Sequence, residues 1–230
     1  MFEVRSQIYK RIHYLVIGSI LQRATNYSIV WGAGFIAKDS ICCQNPKKIY
    51  AVRGPLTRKI LLEQDIYCPE IYGDPALLMP LIYNPKDIHK KYNLGIIPHY
   101  IDKNNEWLKS FNLSSKVKII DIQNNDSKAF IDSVLECKKI ASSSLHGIII
   151  ADSYYIPSLW IEFSDKVYGD GFKFYDYFLS VKKDIKSPYK VNLNSSIIDI
   201  EKQFINSKID IDLEPLIQSC PFKLKLLKKS

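Results

Sequence analysis

The segment KKIASSSLHGIIIADSYYIPSLWIEF, residues 138–163, carries the strongest chemical signal in the chain. A strand that ends in serines and runs on into an apolar helix puts hydroxyls where they cap, since an N-cap serine oxygen accepts a backbone N–H. Ser143 or Ser144 fits that position, and the first helical turn then holds Leu145, His146 and Gly147. A helix start presents unsatisfied N–H groups and a partial positive charge, which suits phosphate or carboxylate. An imidazole there can hand a proton to a bound anion or to a reacting carbon near neutral pH. Gly147 reads as clearing room for a ligand, and a locally packed His146 is the competing reading.

Other segments offer polar groups of the same kind. In IYAVRGPLTRKILLEQ, residues 49–64, Arg53 and Gly54 precede a helix with Pro55 at its first position and Thr57 and Arg58 in its first turn. A cation at a helix start opposes the dipole, so Arg53 has some other partner: an anionic ligand, or an ion pair with Asp74 or Glu63. Asp74, in the turn of YGDPALL, is a candidate acceptor from a ligand hydroxyl. His99, in GIIPHY, is a candidate second acid or base. Gly32 and Gly34, in WGAGF, are candidates for close backbone approach to a ligand, although the third glycine of a dinucleotide fingerprint is missing. Lys173, after the Gly-rich turn YGDG, is a candidate cation.

Chemistry of this kind needs elements to hold it. Short runs rich in Ile and Val predict strands at Tyr14–Ile17, Ser28–Trp31, Lys48–Val52, Leu94–Ile97, Lys116–Asp121, Lys139–Ser142 and Ser158–Glu162. Helices are predicted over Pro55–Gln64, Lys103–Phe111, Ser127–Cys137, Leu145–Tyr154, Phe172–Ser180, Ser196–Ile205 and Leu213–Cys220. Strand–helix alternation with near-continuous apolar strands reads as parallel sheet covered on both faces. The fold class is therefore α/β, with two Rossmann-like lobes. Residues 1–83 form the first lobe, 91–180 the second, and 181–230 are C-terminal helices and a basic tail. The polar stretch Tyr83–Lys91 is the expected linker. In such sheets ligands sit beyond the carboxyl ends of the strands.

Composition excludes several classes. With 47% hydrophobic and 24% charged residues, the 230-residue chain is globular rather than disordered. Its nine glycines exclude a collagen-like chain. No apolar run reaches the length of a membrane span, and the N-terminus is a poor match to a signal peptide. Five cysteines without a C-x-x-C pair predict free thiols and no structural zinc site. The formal charge of +8 suits an anionic ligand. Basic residues are scattered, so nucleic acid is not an expected partner. The tail KLKLLKKS is a candidate for weak contact with anionic lipid.

Taken in order, WGAGFI, AVRGPLTR, YGDPALLMP, GIIPHY, SSSLHGIIIADSYYIP and GDGFKFYDYF resemble the polysaccharide pyruvyl transferase family over about Ile17 to Ser180. The resemblance implies a GT-B-like fold and transfer of pyruvate from phosphoenolpyruvate to a sugar of a surface polysaccharide or its lipid-linked precursor. It implies that Arg53 and His146 serve the donor, with His99 and Asp74 as further catalytic candidates. Ser143, Ser144, Leu145, Gly147, Arg58, Lys173, Gly32 and Gly34 are then candidate binding residues. No metal or cofactor is implied, and a cytoplasmic site, with the tail at the inner membrane face, is expected. Two departures stand out. Ser144 occupies a position where some branches carry Arg. The Asn-x-Gly-Asp loop usual at the front has no counterpart before Ile17, so the N-terminal lobe reads as incomplete and the chain as a short relative or a fragment. A nucleotide-sugar glycosyltransferase and an inactive, partner-binding fragment are the competing readings.

Overall fold

The computed structural model describes residues 11–110, 116–205 and 208–222. Two sheets form, and every strand pair in them is parallel. The first holds β1 (His13–Leu15), β2 (Ser28–Trp31) and β3 (Lys48–Ala51) in chain order. After it come α1 (Pro55–Leu62) and the short α2 (Met79–Ile82). The second sheet begins with β4 (Tyr92–Ile97), followed by α3 (Glu106–Ser110), β5 (Val117–Ile119) and α4 (Ser127–Leu135). It continues through β6 (Cys137–Ser142), α5 (Leu145–Ser153), β7 (Ser158–Glu162), α6 (Phe172–Ser180) and β8 (Tyr189–Lys190). The chain closes with α7 (Ile197–Lys202) and α8 (Glu214–Gln218). The spatial order of the second sheet is β5-β4-β6-β7-β8.

Local chemistry explains most boundaries. Pro55 opens α1 because its missing N–H is one the helix start would leave unsatisfied anyway. Asp126 caps α4 by accepting the N–H groups of Lys128 and Ala129. Ser196 and Asp199 close a reciprocal capping box on α7. Burial, rather than an amphipathic stripe, holds α5: its sequence LHGIIIADS is apolar nearly all round, as a helix enclosed by its own domain should be.

Two compact units divide the described chain. The first comprises 11–75, Gly171–Val181 and 211–222; the second comprises most of 76–170 and 182–210. The core of the first gathers Leu21, Val30, Phe35, Val52, Leu61 and Phe172. That of the second gathers Leu94, Ile96, Trp107, Ala141, Ile161 and Ile200. The stretch read as a linker, Tyr83–Lys91, is irregular but lies inside the second unit, where the Tyr83 hydroxyl donates to Asp132 at 2.8 Å. Helix α6 is counted with the first unit. The two C-terminal helices are divided: α7 contributes Ile200 to the second core, while the Trp31 indole donates to the Leu216 carbonyl of α8 at 2.9 Å. No helix among the described residues is long and apolar enough to cross a membrane. The basic tail lies outside the described residues.

Candidate functional site

The second sheet has one topological switch point. From β4 the chain moves to β5 on one side and then to β6 on the other, so the loops leaving β4 and β6 diverge over the gap between them. Open parallel sheets bind ligands at such a point, outside the carboxyl ends of the strands. Ile97 pairs with Ser142, and Ser142 with Trp160, so β4 and β6 end level and β7 runs two residues further, to Glu162. Three loops rise there. They carry His99 to Asp102, Ser143 to Ser144, and Phe163 to Lys166.

The serine turn is fixed by its own hydroxyls. Ser142 Oγ accepts the Ser144 N–H at 3.0 Å and lies 2.9 Å from the Ile97 carbonyl. Ser143 donates its N–H to Ile97 at 3.1 Å, and its Oγ accepts the His99 N–H at 2.7 Å. Ser144 is the N-cap of α5, in extended conformation, yet its side chain makes no capping bond. The positive end of the α5 dipole therefore receives no capping bond from the Ser144 side chain. From Ile140 through Ser153 every residue is buried except His146, which is half-buried with Nε2 shielded from solvent. His99 is also half-buried and stacks on the exposed Tyr100, ring centroids 4.4 Å apart. Gly147 answers to packing: a Cβ there would stand 2.4 Å from Ser142 Oγ and 3.1 Å from Ile97 Cδ1. It lets α5 settle on the serine turn, and no clearance for a ligand is needed to explain it.

Sequence reasoning missed a carboxylate at this edge. Asp102 is 3% exposed, and its Oδ1 accepts the Ser164 hydroxyl at 2.5 Å. Burial raises its pKa; the Ser164 and Ser143 hydroxyls and the Lys166 charge draw it back. Asp102 follows His99 by three residues in an irregular loop, and nothing local marks it as buried. Lys166, exposed in the loop after β7, supplies a cation close to the same carboxyl.

The first unit gives Arg53 a different setting from the one expected. Arg53 is fully buried, and its partner is neither Asp74 nor Glu63. Its Nε donates to Asp176 Oδ2 at 2.9 Å, Nη1 to Ser19 Oγ at 2.7 Å, and Nη2 to the Phe35 carbonyl at 2.6 Å. Asp176 also accepts the Thr57 N–H at 2.9 Å and the Thr57 hydroxyl at 2.7 Å. The anion at the start of α1 is thus the protein's own Asp176. Gly34 and Gly32 serve that packing. A Cβ on Gly34 would lie 2.5 Å from Arg53 Cζ, and one on Gly32, at φ 92°, would lie 2.1 Å from Pro75 Cδ. Arg58 is half-buried and donates to the Cys68 carbonyl at 3.1 Å. Asp74 is fully buried in the turn after the Val52–Tyr72 bridge. Lys173 is buried, with its ammonium 5.6 Å from the Phe174 ring. Desolvation first, and the Arg53 charge second, lower its pKa to about 8.

The predicted site residues therefore fall in two sets. Ser143, Ser144, Leu145, His146, Gly147 and His99 meet at the switch point of the second sheet. Arg53, Arg58, Asp74, Lys173, Gly32 and Gly34 belong to the first unit. Among the described residues, no group of three or more His, Cys, Asp or Glu side chains is placed to hold a metal ion.

A family model described as polysaccharide pyruvyl transferase matches residues 5–165. The uncharacterized protein L143 of Acanthamoeba polyphaga mimivirus is 33% identical over 213 residues, covering 85% of this chain and 74% of that protein. The succinoglycan biosynthesis protein ExoV of Rhizobium meliloti strain 1021 is 25% identical over 179 residues, covering 74% of this chain and 54% of its own. The match thus spans about half the length of ExoV. No solved structure matches the chain significantly.

Proposed function

The chain belongs to the polysaccharide pyruvyl transferase family, and from that premise we propose that it moves pyruvate from phosphoenolpyruvate onto a sugar hydroxyl pair of a polysaccharide or its lipid-linked precursor. One observation carries the assignment of residues. His146 is the single half-buried position in an otherwise buried run, and it stands in the first turn of α5, whose N-cap side chain makes no capping bond, over the sheet's switch point.

The donor brings a phosphate and a carboxylate. The N–H groups opening α5 suit one of these anions, and the exposed ammonium of Lys166 suits the other. Lys166 then answers the absence of Arg at Ser144. His146, as imidazolium, gives its proton to the methylene carbon of phosphoenolpyruvate, and positive charge gathers at C2. A sugar hydroxyl adds to C2 and loses its proton to a base, for which His99 is the nearest candidate along the hydrogen-bonded loops. The C2–O bond to phosphate then breaks, phosphate leaves with the electron pair, and the resulting oxocarbenium is closed by the second hydroxyl. One proton enters the new methyl group, and the second hydroxyl's proton leaves with phosphate or solvent. Arg53 contributes by position: tied to Asp176, Ser19 and Phe35, it fixes the loop that starts α1.

The test is transfer from phosphoenolpyruvate, followed as phosphate release with acceptors whose hydroxyls can close one ketal ring. His146→Ala and His146→Gln should each lower turnover by about 10² or more, the usual weight of a general acid. Calorimetry on the wild-type chain should show phosphoenolpyruvate binding that UDP does not displace. Wild-type turnover in both His146 variants would remove His146 from its role. Competition by UDP would favour a nucleotide-sugar reaction instead.

A further inference from the structure

We propose that Asp102 is a positioning residue for this site, clamping the His99 loop to the turn that aims His146. The inference rests on the reading of His146 above, and its evidence is geometric. Asp102 reaches across three loops at one sheet edge. Its Oδ1 accepts the Ser164 hydroxyl of the loop after β7. Its own N–H donates to the His99 carbonyl at 2.8 Å, and its carbonyl accepts the Asn105 N–H at 2.8 Å, which shapes the loop after β4. The Ser143 hydroxyl, next to the N-cap of α5, approaches the same carboxyl and holds the His99 N–H. His146 lies three residues beyond Ser143.

A carboxyl in this position is costly to keep, because a buried polar atom without full hydrogen bonding loses its hydration uncompensated. Oδ2 is such an atom: among the described residues it has no hydrogen bond of normal geometry. Alanine at 102 would remove the desolvation cost, but it would also release Ser164 and Ser143 and with them the spacing of the two histidine loops. At 3% exposure Asp102 does not touch substrate, so its effect must pass through the histidines.

The chain has four histidines, His13, His89, His99 and His146, so their ring signals can be followed individually in an isotope-edited NMR titration. Asp102→Ala should displace the His99 and His146 signals and leave His13 and His89 in place, His13 serving as control from the first unit. Asp102→Asn, which keeps the shape and an acceptor for Ser164, should restore them. Should Asp102→Ala fail to fold, Ser164→Ala opens the same clamp from its other arm and should move the same two signals less far. With phosphoenolpyruvate as donor, turnover should fall about tenfold in Asp102→Ala and recover to within about threefold of wild type in Asp102→Asn, as for a misplaced catalytic group. Unmoved His99 and His146 signals in both Asp102→Ala and Ser164→Ala overturn the clamp. Equal displacement in Asn and Ala also overturns it. Moved signals in a protein that never turns over phosphoenolpyruvate would uphold the clamp and reject the transferase reading.

Discussion

Gly147 and Gly34 show how one hydrogen atom can decide a local packing. The Cβ of Gly147→Ala would have to displace Ser142 Oγ, which itself holds Ser144. Overpacking of this kind costs roughly 1–3 kcal/mol, and here it also tilts the start of α5. Gly147→Ala should therefore lower the melting temperature and reduce turnover together. A variant that keeps wild-type stability while binding phosphoenolpyruvate less tightly would return Gly147 to the ligand. Lys173 makes a second statement at this scale. Its folded pKa is lowered to about 8, so between about pH 8 and its unfolded value of 10.5 the unfolded chain binds the extra proton. Stability from this group therefore rises with pH across that window, and below it the full penalty for a buried ammonium applies. Lys173→Met should be more stable than wild type at pH 7, by about 3 kcal/mol, which is the lowering from 10.5 to about 8 taken at about 1.36 kcal/mol per unit. The difference should shrink as pH climbs from 8 toward 10.5 in paired thermal melts. A constant difference across that range would mean that Lys173 does not titrate there.

At the scale of elements, α1 and α6 are joined by one carboxylate. Asp176 neutralises Arg53 and supplies the acceptor for the Thr57 N–H that α1 lacks, since Gly54 at its N-cap has no side chain. Removing one partner of a buried ion pair leaves the other charge uncompensated, at a cost of about 3–5 kcal/mol. Asp176→Asn should thus destabilise the first unit far more than an isosteric change on the surface would, measured as a shift in denaturant midpoint. A shift no larger than that of an exposed control would mean that Arg53 is stabilised chiefly by Ser19 and Phe35. How much of this was legible beforehand follows from the physics of each feature. β4, β6, β7 and α5 announce themselves through the apolar runs that buried elements need, Leu94–Ile97, Ile140–Ala141, Leu159–Ile161 and Ile148–Ala151. β8, two residues in a polar stretch, is defined by its edge pairing with β7 and carries no local signal. The ion pair was invisible for a related reason: its partners are 123 residues apart, and no periodicity links them. A clue was present all the same. Asp176 in FKFYDYFLS and Asp152 in GIIIADS are acids inside apolar helices, and an acid there needs a buried partner. For Asp152 that partner is Lys183, at 2.6 Å, with Ser158 completing the triangle. The switch-point cluster was legible because its residues follow the ends of the apolar strands β4 and β6; Asp102 and Ser164 were not, being ordinary loop residues until the sheet brings their loops together.

Across the whole molecule, the thiols report on both units without any ligand. All five cysteines are free, and their settings differ. Burial pushes the Cys42 thiol up to about 11, the Cys68 thiol to about 12 and the Cys137 thiol to about 11. Cys43 is exposed and Cys220 half-buried. Because the thiolate is the reactive species, a buried thiol of high pKa reacts only when its surroundings open. Labelling of the native protein at pH 8 should therefore mark Cys43 first and Cys220 next, and spare the other three. Cys42 and Cys68 sit in the first unit and Cys137 in the second. Local opening caused by a broken ion pair should then be readable by location. Asp176→Asn should speed labelling of Cys42 and Cys68, and Lys183→Met, which strands Asp152, should speed labelling of Cys137. Peptide mapping by mass spectrometry assigns each label. If either variant accelerates all three buried thiols equally, the ion pairs are not local restraints and opening is a property of the chain as a whole. If native Cys137 reacts as fast as Cys43, its enclosure against Ser133 of α4 and Gly95 of β4 is wrong.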